Sequence, residues 1–170
     1  YRGKKLPVPD VEGLRPTPDR IRETLFNWLM HDILDARCLD AYAGTGALGL
    51  EAFSRGASKV TFIEYSPIAH ANLSRIVDLF NTPKLNLIKA DTQHYLHNTK
   101  EQFDLIFLDP PFAQNLIPQC LSELAQNPCL KTGGLVYLES ANAIEIDDQQ
   151  WEKLKLKQAG SVVYGLFKKL

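Results

Sequence analysis

Residues 103–112, Phe-Asp-Leu-Ile-Phe-Leu-Asp-Pro-Pro-Phe, hold the side chains best placed to do chemistry. Five of the first six are apolar, so the stretch reads as a buried strand. Proline cannot donate to a sheet ladder, and Pro110-Pro111 must end the strand at Asp109. A carboxylate, two rigid rings and an aromatic then stand at the C-terminal edge of a strand, where open α/β sheets bind ligands. Such a group suits substitution at an exocyclic amine of a planar base, whose lone pair is delocalised into the ring. Asp109 and the Pro110 carbonyl could each accept one N–H, favouring a pyramidal nitrogen, while Phe112 stacks on the base. The same four residues would equally end an ordinary strand with Phe112 in the core, so the rest of the chain must decide.

The elements that position this turn can be read in order. Residues 1–16 form a basic arm holding Arg2, Lys4 and Lys5, which are candidates for phosphate contacts. Residues 17–170 form one domain. Thr17, Pro18 and Asp19 suit the N-cap and first turn of a helix over about 18–34, striped by Ile21, Leu25, Trp28, Leu29 and Ile33. Strands are expected at 37–41, 59–63, 85–88, 103–108 and 135–139, with helices between them, one of them near 115–125. Gly133-Gly134 should precede the fifth strand. Residues 151–158 alternate in polarity and 162–168 form a further strand, with Ala159-Gly160-Ser161 between them, which predicts an antiparallel hairpin. The fold class is α/β: a Rossmann-like, seven-stranded, mostly parallel sheet closed by a C-terminal antiparallel hairpin.

Gly44-x-Gly46-x-x-Gly49 follows the first strand, and Glu64 lies 20 residues beyond Gly44 at the end of the second. That pair fits NAD, FAD or S-adenosylmethionine, with Glu64 on the ribose hydroxyls. Asp40, just before the turn, is awkward beside a pyrophosphate but suits the ammonium of a methionine group. Asp91 ends the third strand, where it can accept from an adenine amine. Asp40, Glu64, Asp91 and Asp109 thus end four successive strands, a layout that favours S-adenosylmethionine and leaves Asp109 for the substrate. Tyr42 and Thr92 flank these acids and complete the candidate cofactor set.

Composition sets bounds. The 170 residues carry a net charge of −1, but residues 1–22 carry +3, residues 151–170 carry +4 and the middle carries −8. Basic ends on an acidic middle fit either a positive rim or solvated termini. Cys38, Cys120 and Cys129 have no metal spacing and read as free thiols in a cytoplasmic protein. His94 and His97, three apart, read as a solvated helix face, and no metal site is expected. No apolar run reaches the roughly 20 residues needed to cross a bilayer.

The chain resembles the class I S-adenosylmethionine-dependent methyltransferases and, more closely, the bacterial 16S ribosomal RNA guanine-N2 methyltransferases (the RsmD family). Leu14-Arg-Pro-Thr-Pro-Asp-Arg-Ile-Arg-Glu-Thr-Leu-Phe-Asn-Trp28, Leu39-Asp-Ala-Tyr-Ala-Gly-Thr-Gly-Ala-Leu-Gly-Leu-Glu-Ala52 and Asp109-Pro-Pro-Phe112 carry the resemblance. The first is the more specific; DNA adenine methyltransferases share the other two. The resemblance implies that Gly44, Gly46, Glu64 and Asp91 line the cofactor site and that Thr17 and Arg20 lie over its methionine end. It implies that Asp109, Pro110 and Phe112 hold a guanine of 16S rRNA; the expected setting is the small subunit or an assembly intermediate, with the protein as a monomer. Other readings are a DNA adenine-N6 methyltransferase, an NAD-dependent oxidoreductase and a non-catalytic RNA-binding domain. The first would need a target-recognition segment that 170 residues barely accommodate. The second lacks a Tyr-x-x-x-Lys or similar hydride-transfer set. The third leaves the Asp109-to-Phe112 turn without a purpose.

Overall fold

Alternating apolar stretches and glycine or proline breaks in this sequence produce alternating strands and helices. The computed structural model describes residues 17–170, with Ala113 described by its backbone alone. In chain order these are α1 (Asp19–Trp28), β1 (Arg37–Asp40), α2 (Ala47–Ser54), β2 (Lys59–Ile63), α3 (Pro67–Phe80) and β3 (Leu85–Ile88). They continue with α4 (Thr92–Asn98), β4 (Phe103–Leu108), α5 (Ile117–Gln126), β5 (Leu130–Ser140), β6 (Trp151–Ala159) and β7 (Val162–Lys169). A 3-10 turn, Phe112–Gln114, separates β4 from α5.

Among the described residues the strands form one seven-stranded sheet in the order β3-β2-β1-β4-β5-β7-β6. The first five in that order are parallel neighbours, and β7 runs antiparallel to both β5 and β6. The strand order reverses between β1 and β4, the crevice where sheets of this kind bind ligands. Strand alternation divides the core into two layers. Phe107 and Tyr137 face α1, α2 and α3, and pack with Leu25, Phe26 and Leu73. Ile106, Leu108 and Leu138 face α4 and α5, and pack with Leu96, Leu121 and Leu124. Phe26 meets Phe107 at 6.0 Å between ring centroids, and Trp28 stacks on Tyr164 at 5.4 Å. These ring contacts fix α1 across β4 and β7.

Three elements differ from the sequence expectation. The apolar stripe of α1 continues to Leu29 and Ile33, both buried, yet the helix ends at Trp28. The chain has to turn to enter β1, and Asp35, at φ 63°, donates its N–H to the Gly56 carbonyl at 2.8 Å. Gly133-Gly134 lies inside β5 rather than before it. Phe103 pairs with Leu130 and Leu105 with Leu135, so β5 bulges between them. Gly133 there has φ +83°, a conformation that favours glycine. The helix near 115–125 starts at Ile117, because Asn115 at φ 47° breaks the chain after the 3-10 turn.

Gly49 seats α2 on the sheet. A Cβ at this position would lie 2.4 Å from Phe62 Cε1 and 2.9 Å from Val60 Cγ1. Both side chains belong to fully buried positions on β2 and have little room to move. Gly49→Ala should therefore destabilise the fold by about 1–3 kcal/mol, a fall of several degrees in Tm for a domain of this size. Calorimetric melting of the two proteins tests this, and equal Tm values would show that α2 can lift off β2 at no cost.

Candidate active site

The acids at the strand ends are each held by a donor at the start of a helix. Asp40 ends β1 at 2% exposure and accepts the Gly49 N–H, in the first turn of α2, at 3.0 Å. Burial pushes its pKa up to about 7; the Gly49 bond opposes that rise and the charge of Glu64 adds to it. Glu64 accepts the Gly44 N–H on one oxygen and the Ser66 N–H on the other, both at 2.8 Å. Ser66 in turn caps α3. Asp91 caps α4 by accepting the His94 N–H at 3.0 Å. Helix N-termini carry partial positive charge, which suits carboxylates. Gly44 and Gly46, at φ 56° and 80°, make the left-handed turn that lets the chain pass from β1 into α2.

Thr92 and Tyr42 tie the same edge to α4 and α5. Thr92 is buried and its hydroxyl donates to the Ala41 carbonyl, tying the start of α4 to the end of β1. The Tyr42 hydroxyl meets Cys120 Sγ of α5 at 3.5 Å. Burial raises both groups above their ordinary pKa values, Cys120 to about 11. His97 pairs with Glu123 at 2.7 Å and joins α4 to α5 on the surface.

The second half of the site lies across the crevice. Leu108 of β4 pairs with Leu138 of β5, which places Asp109 beside Glu139. The Thr17 hydroxyl lies 2.8 Å from Glu139 Oε2 and 3.2 Å from Asp109 Oδ2. It has one proton for two carboxylates, and the shorter distance is to Glu139, whose side chain is fully buried. This corrects the expectation that Thr17 caps α1. The N-cap is Pro18 and no side chain caps the helix. A hydroxyl bonded to carboxylates makes a charge-assisted bond, stronger than a neutral cap. Pro110 is buried, and Phe112 is half-buried against the α1-side core. Burial raises the Tyr137 hydroxyl pKa well above its ordinary value, and the charges of Glu139 and Asp109 add to the rise. Arg20 is exposed on α1. Arg2, Lys4 and Lys5 lie outside the described residues.

Glu139 is the residue that the sequence reading passed over. It ends the fifth strand on the same edge as the other four acids, and that position was its signal. An edge with five carboxylates suits a ligand that is both a cation and a hydrogen-bond donor. It opposes a pyrophosphate. Each carboxylate offers about four acceptor positions, so the capping bonds leave capacity for a ligand at Glu64 and Asp91.

The raised Asp40 pKa has a definite sign. An unfolded aspartate titrates near 4 and the folded one near 7. The folded state holds the proton more tightly, so Asp40's contribution is most favourable below about pH 4 and is lost as pH rises to about 7, by up to roughly 4 kcal/mol. Asp40→Asn keeps an oxygen for the Gly49 N–H and removes the titration. Relative to wild type it should gain stability from pH 4 to pH 8 in urea unfolding. A difference between the two proteins that is independent of pH would contradict this.

Comparison with known proteins agrees with this architecture. A family model described as "Conserved hypothetical protein 95" matches residues 1–168. The ribosomal RNA small subunit methyltransferase D of Haemophilus influenzae is 42% identical over 98% of this chain and 89% of its own length. That of Escherichia coli K12 is 39% identical over 99% of this chain and 86% of its own. A solved Escherichia coli chain named as the methyltransferase yhhF, 38% identical, superposes with a TM-score of 0.91, covering 99% of this chain and 93% of that one. The chain therefore belongs to the conserved hypothetical protein 95 family, the RsmD family of methyltransferases.

Proposed function

We propose that this chain transfers a methyl group from S-adenosylmethionine to the exocyclic N2 of a guanine in 16S ribosomal RNA, within the small subunit or an assembly intermediate. The observation that carries the proposal is the Asp109-Pro110-Pro111-Phe112 turn at the C-terminal end of β4, facing the acid-lined glycine turn across the crevice. The names of the 42% and 39% identical relatives supply the class of RNA.

The residues present fit the cofactor. Asp40, Glu64 and Asp91 offer acceptors to an ammonium, a ribose and an adenine amine in turn, and Gly44 and Gly46, at φ 56° and 80°, shape the turn that follows Asp40. When bound, S-adenosylmethionine supplies a methyl group made electrophilic by its sulfonium. The chain's own residues then have to present a nucleophile. Asp109 and the Pro110 carbonyl accept the two N–H bonds of the guanine amine and favour a pyramidal nitrogen. The Thr17 hydroxyl, shared between Asp109 and Glu139, limits how the Asp109 carboxylate can rotate. Phe112 keeps one side on the core and offers the rest of its ring to the base. Asp109 offsets the positive charge that develops on nitrogen, and the methylated ammonium is acidic enough to lose its proton to water. The target base has to leave its stack to enter such a pocket. No helix among the described residues is long and apolar enough to cross a membrane.

Labelled S-adenosylmethionine should be incubated with small subunits from cells lacking the enzyme, with free 16S rRNA and with DNA, followed by nucleoside analysis. N2-methylguanosine at one position is expected, and Asp109→Ala should lower its formation by about 100-fold or more, the scale on which misplaced reactants lose rate. N6-methyladenine in DNA with no product in rRNA would overturn the substrate. Nearly full activity in Asp109→Ala would overturn the role given to the turn.

A further inference from the structure

The lysines of edge strand β6 stand on two faces, and a bulge decides which. The β6–β7 register runs Lys153↔Phe167 and then Lys155↔Leu166, so two residues of β6 advance against one of β7. Phe167 packs in the α5-side core and Leu166 in the α1-side core. Lys153 therefore faces the α5 side. Lys155 and Lys157, opposite Leu166 and Tyr164, face the α1 side. Gly165 permits this, because a Cβ there would come within 2.7 Å of the Lys155 carbonyl oxygen. All three lysines are exposed.

The α1 side at this edge is the face that carries Asp109. Lys157 opposes Tyr164, Tyr164 opposes Glu139, and Glu139 stands beside Asp109, so the four form one row across the sheet. From Asp109 to Lys157 the row crosses three strand spacings, about 14 Å. Trp28, stacked on Tyr164 and only partly buried, lies along the same path. Phosphates along a duplex axis rise about 3.4 Å per nucleotide in each strand, so this span corresponds to a few nucleotides.

We propose that Lys155 and Lys157 form a phosphate-contacting track for the RNA strand flanking the target base. The inference rests on the RNA reading above. Its physical motive is charge: acids gather at the edge that holds the site, and exposed cations beside it on the same face would add attraction for a polyanion. Edge-strand lysines also block sheet-to-sheet association. Either face serves that purpose, whereas phosphate contact near Asp109 requires the α1 face. Lys153 is therefore an internal control.

Lys155→Gln/Lys157→Gln and Lys153→Gln should be compared with wild type in small-subunit methylation and in binding to 16S rRNA across a salt series. The double variant should raise KM for RNA on the order of tenfold, leave kcat at saturating RNA unchanged, and flatten the salt dependence by about 1.4–1.8 log units for two lost contacts. Its calorimetric affinity for S-adenosylmethionine should be unchanged, which also shows an intact fold. Lys153→Gln should behave as wild type. A double variant with wild-type KM and salt slope, or one matched by Lys153→Gln, would overturn the track while leaving the RNA reading in place. A wild-type protein that methylates DNA and not rRNA would overturn both.

Discussion

Like-charge repulsion at one sheet edge is the constraint on which this structure depends. Asp40, Glu64, Asp91, Asp109 and Glu139 lie at or just beyond the C-terminal ends of five neighbouring parallel strands, and two of them are almost wholly buried. Left alone, such a set would push the edge apart or take up protons. The chain counters it by starting a helix, or the residue that leads into one, at each acid. Asp40 takes the N–H of Gly49 in α2, Glu64 takes that of Ser66 at α3, and Asp91 takes that of His94 in α4. Thr17, just ahead of α1, is shared by Asp109 and Glu139. The glycine turn, the helix starts and the position of α1 all follow from this requirement. The same arrangement leaves a negative edge that a cationic ligand would relieve.

The two halves of the edge answer the constraint differently. Around β1, β2 and β3 the donors are backbone N–H groups, fixed by helices that cannot turn away. Around β4 and β5 the donors among the described residues include a side-chain hydroxyl, that of Thr17, lying between two carboxylates. Backbone donors make a rigid half suited to a ligand of constant shape.

Most of the architecture was legible because strand ends in this sequence are marked by charge or proline. Asp40, Glu64 and Asp109 each close an apolar run, and the observed strands end at or beside them, while Asp91 comes after β3 as the N-cap of α4. The hairpin was legible from Ala159-Gly160-Ser161, where Gly160 at φ 60° turns the chain and Ala159 pairs with Val162. Bulges were not legible. Leu154 continues the alternation of β6 without a break in the sequence, yet the register shifts there, and the cause lies on the neighbouring strand at Gly165. Gly133-Gly134 read as a strand boundary because glycine marks both turns and bulges, and only the pairing with β4 separates the two. Thr17 was placed correctly beside α1 but given the wrong partner, since its hydroxyl bonds residues 92 and 122 positions away. Local sequence favours a cap there, and tertiary contact overrides it.

The central claim is that the strand-end acids divide into a cofactor half and a substrate half. Titration calorimetry of S-adenosylmethionine into wild type, Glu64→Ala and Asp109→Ala tests it most directly. Glu64→Ala should lose about 1.5–3 kcal/mol, the value of hydrogen bonds to a charged acceptor, or roughly 10- to 150-fold in Kd. Asp109→Ala should bind as wild type does. Equal losses in the two variants, or a loss in Asp109→Ala alone, would contradict the division.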